Sequence, residues 1–165
     1  MLRHHTMSTP AGSLTVVVSD VGAVRAAGFT AEVDDLLPLI HPALREEVEP
    51  AGDIGPVTAA VESYFDGDLT AIDEIPVEQR TGGDFMAHAW RVMRDIKPGE
   101  PVTYTEFAAL AGRPAAVRAA AAACAQNPVA FFTPCHRVLR LDGSLGGYRW
   151  GLPVKRRLLD HEATG

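Results

Sequence analysis

The spacing of apolar residues changes near residue 80, and this change limits the fold more than any other feature of the sequence. Before it, the β-branched runs Ser13 to Ser19 and Ala23 to Phe29 flank Asp20-Val21-Gly22, which predicts a β-hairpin. Beyond it, apolar residues recur at intervals of three and four from Phe85 to Ile96, which predicts an amphipathic helix. Strands followed by helices indicate an α+β fold.

The remainder of the first half predicts a small α/β unit. Val33 to Ile40 and Val57 to Phe65 have helix-like apolar spacing, and Ile72 to Val77 is expected to return as a strand. The start of the chain carries His4 and His5, which we interpret as a disordered start and not as a metal site.

The second half predicts two short helices joined by a tight turn. Lys97-Pro98-Gly99 ends the first helix, a short helix follows around Thr105 to Ala111, and Gly112-Arg113-Pro114 breaks it. An alanine-dominated helix then runs from Ala115 to Gln126. This order is the outline of a helix-turn-helix.

The alanine helix carries almost no side chain that could read base edges. Its alanines would allow a close approach to a surface, and one long side chain, Arg118, projects from it. From this helix alone, a buried helix packed through small residues is the simpler interpretation.

Charge is divided unevenly between the halves. Residues 1–79 carry three Lys/Arg against fourteen Asp/Glu, a formal charge of −11, whereas residues 80–165 carry twelve against seven, a formal charge of +5. We divide the chain into two domains at this point. The basic half predicts a polyanionic partner, with ordinary surface variation as the alternative.

The two cysteines, Cys124 and Cys135, are too few for a disulfide framework or a four-thiolate zinc site. We expect reduced thiols, since a disulfide between them is disfavoured in a reducing cytosol. No apolar run reaches the roughly 18 residues of a membrane span, and Met1 to Pro10 lacks the apolar stretch of a signal peptide. The sequence therefore predicts a cytoplasmic protein.

The segment Thr133 to Val138 places the thiol of Cys135 beside an imidazole and a guanidinium. A thiol is a strong nucleophile as thiolate, which cationic or proton-accepting neighbours favour. Adjacent residues do not share a face, so a bridging water is expected between Cys135 and His136. The late carboxylates, Asp142, Asp160 and Glu162, are the candidates for the other imidazole nitrogen. A Cys-His pair alone is also compatible with an inert packing cysteine, the interpretation that suits Cys124.

This segment resembles the O6-alkylguanine-DNA alkyltransferases, whose hallmark is PCHRV with an Asn-Pro pair shortly upstream, here Asn127-Pro128. The resemblance covers residues 85–162 and, more faintly, Tyr64-Phe65-Asp66-Gly67. Gly143 to Gly151, with Lys155 beyond it, is most similar to the alkyltransferase domain of the bacterial adaptive-response protein.

The resemblance implies a role for each matching residue. Cys135 would be the alkyl acceptor, His136 its water-mediated base and Glu162 the carboxylate that holds the imidazole. The other roles surround the substrate base: Asn127 would brace the active-site turn, Tyr104 would approach the flipped guanine, Arg118 would fill its place in the stack, and Val138, Tyr148 and Arg149 would line its pocket.

The resemblance also implies the fold and the reaction. Residues 1–79 would form a ribonuclease-H-like domain, and residues 80–165 a mostly helical, winged-helix-type helix-turn-helix domain. A monomer would remove the alkyl group from the O6 position of guanine in double-stranded DNA, once and without cofactor or metal. Activity on O4-alkylthymine and the range of alkyl groups stay open.

Four residues depart from the family pattern. Thr133 replaces a branched aliphatic residue before the Pro-Cys pair, and Met86 stands where glutamine is common. Ala125 replaces a second basic residue of many relatives, which predicts modest DNA affinity. Trp150 replaces a frequent glycine and is expected to narrow the pocket against bulky alkyl groups.

Three other classes of protein are compatible with parts of the pattern. A thiol hydrolase would use the same Cys-His pair but would release product repeatedly. A winged-helix regulator would need base-reading side chains on its second helix. A lesion-binding alkyltransferase-like protein normally lacks the cysteine that this chain has at Cys135.

Overall fold

A four-stranded sheet forms the first half of the molecule in the computed structural model, which describes residues 1–164; Gly165, the end of the predicted second domain, lies outside them. The strands are β1 (Leu2–Thr9), β2 (Gly12–Val18), β3 (Val24–Gly28) and β4 (Val48–Pro50), in the order β3-β2-β1-β4. β2 runs antiparallel to β1 and β3, and β4 runs parallel to β1. The predicted hairpin is confirmed as β2 and β3.

The expected disordered start is wrong, because these residues form β1. Leu2 is fully buried, His4 pairs with Val17 of β2, and His5 Nδ1 lies 2.9 Å from the carbonyl oxygen of Ala51. The strand occupies an inner position of the sheet, so partners on both sides satisfy its backbone.

The other predictions for the first half met different outcomes. The helix expected at 57–65 is confirmed as α1 (Pro56–Phe65). Residues 33–40 form only short 3₁₀ turns, Val33–Asp35 and Leu37–Leu39; Pro38 has no N–H to continue a helix. The strand expected at 72–77 is instead a 3₁₀ helix, Ala71–Glu74, and Val77 makes one isolated bridge to Val24.

Helices make up most of the regular secondary structure of the second half. Its helices are α2 (Asp84–Met93), α3 (Tyr104–Leu110), α4 (Val117–Ala125) and α5 (Leu152–Ala163), and its two short parallel strands are β5 (Val102–Thr103) and β6 (Val138–Leu139). A capping box between Thr103 and Glu106 fixes the start of α3. Both interpretations of the alanine helix hold in part: Ala120 and Ala123 are buried, while Arg118 is exposed.

The two halves share one hydrophobic core. Val129, Phe131 and Phe132 of the second half, together with Leu158 of α5, pack into the cluster that covers the inner face of the sheet and α1. A second cluster lies among α2, α3 and α4 and includes Cys135. Within residues 1–164, no helix has the length and apolar content to cross a membrane.

Candidate active site

The loop that follows α4 delivers Cys135 to the start of a single 3₁₀ turn, Cys135–Arg137. The loop is tied to β3 by backbone hydrogen bonds: Ala27 donates to the carbonyl of Pro128 at 3.0 Å, and Ala130 donates to the carbonyl of Ala27 at 3.2 Å. Cys135 is only 7% exposed. The thiol is therefore fixed between the sheet of the first half and the helices of the second.

Phe131, in the same loop, holds a backbone conformation that favours glycine, with φ at 75°. Its ring makes edge-to-face contacts with Tyr64, Phe29 and Phe132, at centroid distances of 4.7, 5.9 and 5.3 Å. This aromatic packing holds the strained backbone in place, since such conformations persist only where the surroundings determine them.

Glu162, near the end of α5, gathers several donors around one buried carboxylate. Its Oε2 lies 2.8 Å from His136 Nε2, accepts from the Tyr64 hydroxyl at 2.7 Å and from Arg137 Nη2 at 3.0 Å. Its Oε1 accepts from Arg137 Nε at 2.9 Å, and Arg137 Nη1 donates to the carbonyl of Ile96 at 2.6 Å. The cluster is almost entirely shielded from solvent.

The protonation states of this cluster follow from burial and from neighbouring charge. Although burial acts to raise it, the contacts with His136 and Arg137 hold the pKa of the Glu162 carboxyl well below its usual range. Burial lowers the pKa of His136 despite the facing carboxylate. A neutral imidazole that donates from Nε2 to Glu162 keeps Nδ1 as an acceptor, and that atom has no hydrogen-bond partner among residues 1–164.

Burial also governs the pKa of the Cys135 thiol. Burial raises the pKa of Cys135, against the opposing effects of the Asn127 side chain and the charge of Lys155. The sequence predicted that the neighbours would favour a thiolate, and burial outweighs them because a desolvated anion is costly. As expected for adjacent residues, Cys135 and His136 share no direct hydrogen bond in the described part of the chain.

Asn127 braces the loop from the inside. Its Nδ2 donates to the carbonyl of Thr133 at 2.8 Å, and its Oδ1 accepts from the backbone of Val129 at 3.0 Å and from Gln79 Nε2 at 2.9 Å. The Thr133 hydroxyl donates in turn to Gln79 Oε1 at 2.7 Å. Thr133, unusual for the family pattern, thus has a polar partner in Gln79, the last residue of the first half.

A cavity of about 330 Å³ opens beside the thiol. Cys135, Tyr104, Asn127, Tyr148 and Arg149 line it, together with Ala121, Cys124, Ala125, Ala130, Gly147 and Trp150. This volume lies at the lower end of the range of small-molecule pockets. Burial raises the pKa of Tyr104 to about 12, so its phenol is a hydrogen-bond donor at neutral pH.

Two predicted site residues lie elsewhere. The side chain of Val138 is fully buried in the core among α2, α3 and α4, because β6 pairs with Val102, and it does not line the cavity. Arg118 is exposed on α4 and lines a neighbouring shallow groove that shares Tyr104, Ala121 and Gly147 with the cavity. That Val138 forms part of the guanine pocket stays a prediction.

Lys155 fixes the segment that forms the far wall of the cavity. Its Nζ is buried and donates to the carbonyls of Val138, Leu145 and Gly147 at 2.8, 2.5 and 3.1 Å. Burial lowers the pKa of this ammonium group, with the two thiols opposing the shift. One side chain thus joins the end of β6 to the loop that carries Tyr148.

Trp150 closes one side of the cavity and rests on Gly28 of β3. A Cβ atom built on Gly28 would lie 2.2 Å from Trp150 Cζ2 and 2.4 Å from Cε2, far inside van der Waals contact. Gly28 has no positive φ, so the position requires glycine because of this close approach and not because of its backbone conformation. The indole fits only against a bare Cα.

Four residues important to this geometry were absent from the predicted site: Tyr64, Gln79, Arg137 and Lys155. Three of them had a weak signal in the sequence, since Tyr64, Arg137 and Lys155 lie within motifs of the resemblance. Nothing in the sequence marks Gln79. Among residues 1–164, no group of three or more His, Cys, Asp or Glu side chains is arranged to hold a metal ion.

The chain is similar to proteins of one family, both in sequence and in structure. Residues 84–164 match the family model described as 6-O-methylguanine DNA methyltransferase, DNA binding domain. The chain is 38% identical over 124 residues to the bifunctional transcriptional activator/DNA repair enzyme Ada of Escherichia coli, covering 72% of this chain and 35% of Ada. It thus spans about a third of that relative's length.

Full-length likeness comes from other relatives. The chain is 35% identical over 165 residues to the methylated-DNA–protein-cysteine methyltransferase of Salmonella typhimurium, covering 98% of this chain and 95% of the relative. The crystal structure of Mycobacterium tuberculosis OGT in complex with DNA has a TM-score of 0.82 at 29% identity, covering 98% and 93% of the two chains. The mixed α+β architecture and the resemblance inferred from PCHRV are thereby confirmed, and the chain belongs to the methylated-DNA–protein-cysteine methyltransferase family.

Proposed function

We propose that this protein repairs DNA by direct reversal, taking the alkyl group from O6-alkylguanine in double-stranded DNA onto Cys135. The observation that carries the proposal is the buried thiol of Cys135 at the wall of the cavity, next in sequence to the His136 that pairs with Glu162. A neutral base with a free acceptor atom suits one proton transfer from a neutral thiol.

The reaction needs no group beyond those of the protein, water and DNA. The sulfur of Cys135 attacks the alkyl carbon, and the bond from that carbon to O6 breaks with its electron pair left on the guanine. The thiol proton passes through a water to His136 Nδ1, which lies free to accept it. The product thioether has no good leaving group, so each molecule acts once.

The leaving guanine needs a hydrogen bond as negative charge develops on it. Tyr104 lines the cavity with its phenol protonated, which suits that task. Tyr148 and the backbone at Arg149 supply the remaining wall against the base. In this proposal Val138 contributes to the guanine pocket only through its backbone carbonyl, which accepts a hydrogen bond from Lys155 Nζ.

The target base must leave the helix to reach the cavity, at a cost of a few kcal/mol. We assign Arg118, exposed beside the cavity mouth, to the gap that the base leaves, and the small residues of α4 to the minor groove. We also propose that residues 80–165 form a winged-helix-type domain and that residues 1–79 form a ribonuclease-H-like domain. The protein would work as a monomer in the cytoplasm.

A stoichiometry measurement tests this function. The protein is incubated with excess duplex bearing one O6-methylguanine, and the restored guanines are counted per protein molecule. We expect one. Several turnovers would indicate a thiol hydrolase, and tight binding without restoration would indicate a lesion-binding protein; either result contradicts the proposal.

A further inference from the structure

Tyr64 connects the first half of the chain to the proton relay without lining the cavity. Its side chain is fully buried on α1, and its hydroxyl donates to Glu162 Oε2 at 2.7 Å, the same oxygen that faces His136 Nε2 at 2.8 Å. The ring is held by Phe131 and Phe65 at 4.7 and 4.9 Å. Such a position allows Tyr64 to act on the imidazole only through the carboxylate.

We propose that Tyr64 is a positioning residue of the relay: by sharing Glu162 Oε2 with His136, it keeps the imidazole neutral and its Nδ1 open to the Cys135 proton. The inference rests on the proposed function, since it assigns a task within that reaction. It gives the first half of the chain a part in the chemistry, beyond its part in the core.

The effect of Tyr64 on His136 depends on how negative charge is distributed over the Glu162 carboxylate. A hydrogen bond to an ionised oxygen withdraws part of its charge, so the phenol weakens the attraction of Glu162 for a protonated His136. An imidazolium has donors at both nitrogens and cannot accept a proton from the thiol. Loss of the phenol therefore favours the form of His136 that is inactive as a base.

Other titratable and charged groups around the pair set the background for this effect. Arg137 donates to both oxygens of Glu162 and is fixed on Ile96. Five further groups lie near the cluster or act on it through their charge. Asp73 belongs to the 3₁₀ helix at 71–74, His161 and Lys155 belong to α5, and Tyr148 and Cys135 line the cavity. None of them donates a hydrogen bond to Glu162 in the described chain, so apart from His136 itself the phenol is the one neutral donor on that carboxylate.

The test is the pH profile of methyl transfer by Tyr64→Phe, measured as the second-order rate with O6-methylguanine duplex. We expect the acid limb of the profile, which reports protonation of His136, to move upward by about half a pH unit or more. The rate should fall several-fold on the acid side and approach that of the wild type at alkaline pH. A uniform loss at every pH, or an unchanged profile, overturns the inference.

Two further variants of the chain separate loss of the phenol from loss of packing. Phe65→Leu disturbs the same aromatic cluster without touching the carboxylate, so it should lower stability and leave the acid limb in place. If Tyr64→Phe does not fold, a ring-fluorinated tyrosine at position 64 keeps the size and strengthens the donor, and the limb should then move downward. If the acid limb of the pH profile does not shift in the fluorotyrosine protein, the inference is rejected. Failure of the wild type to accept any methyl group would instead reject the proposed function.

Discussion

Residues 1–79 form the four-stranded sheet and α1 and carry a formal charge of −11, whereas helices make up most of the regular secondary structure of residues 80–165, which carry +5 and contain the thiol. By charge alone, the second half is the one suited to DNA. By geometry the division is less complete, because three residues of the first half reach the reactive centre: Tyr64 on Glu162, Gln79 on Asn127, and Gly28 under Trp150.

The acidic half therefore contributes buried contacts to the candidate active site. It presents no exposed catalytic side chain, yet it fixes the relay carboxylate, the loop amide and one wall of the cavity. Under the proposed function, charge patterning predicts which half meets DNA, whereas buried contacts show that both halves surround the thiol. Variants at the contacts between the halves should separate these two contributions.

The largest expected effect on stability comes from Glu162→Gln, which breaks the contact shared by both halves. The change leaves the buried Arg137 charge without its counter-ion, so we expect a loss of roughly 3–5 kcal/mol in the free energy of unfolding. The control is Asp160→Asn on the same helix, whose pair with Arg156 is exposed and 4.0 Å long; it should cost under about 1 kcal/mol. Denaturant titration measures both. Equal losses would show that the carboxylate cluster does not join the halves.

Gly28→Ala should have the next largest effect, through the cavity wall. The added methyl group forces the Trp150 indole to move, and overpacking of this kind costs about 1–3 kcal/mol. We expect altered preference between O6-methylguanine and bulkier O6-alkylguanines, measured as a ratio of rates. Adding Trp150→Ala should remove most of the stability loss.

Gly52→Ala is the matched control for that substitution, because a Cβ at Gly52 meets nothing within 4 Å. It should leave the rate ratio unchanged. If Gly28→Ala also leaves the ratio unchanged while lowering stability, the first half supports the fold but does not shape the substrate cavity.

A smaller effect is expected from Arg118→Ala, which concerns the basic half alone. Because Arg118 is exposed outside the cavity, its loss should slow repair of duplex DNA by about tenfold, on the order of 1.4 kcal/mol, and spare free O6-alkylguanine base. Arg156→Ala removes the same charge on α5 and should slow neither substrate appreciably. Equal slowing of duplex and free base by Arg118→Ala would remove its assigned place in the base stack.

The sequence predicted those elements whose formation depends mainly on residues close together in the chain. The hairpin of β2 and β3 and the helix α1 follow from alternation, turn residues and helical spacing. β1 was not predictable in this way, because its mixed histidine and threonine residues show no clear alternation and its stability comes from partners on both sides.

The site residues divide in the same way, into those that a local motif predicts and those that depend on distant contacts. Cys135, His136 and Glu162 follow from the resemblance, and the structure pairs His136 with Glu162 in the turn that begins at Cys135. Tyr64 lies 98 residues before Glu162 and Gln79 lies 48 residues before Asn127, so no spacing rule connects them. The raised pKa of the Cys135 thiol also required the structure, since burial is its cause.

The most direct test of the account is to locate the transferred methyl group. Both cysteines line the same cavity, and burial raises the pKa of each thiol, but only Cys135 stands beside the His136–Glu162 pair. After reaction with O6-methylguanine duplex, peptide mass mapping should find one methyl group on Cys135, none on Cys124, and no transfer in Cys135→Ala. A methyl group on Cys124, or transfer that survives in Cys135→Ala, would contradict the account.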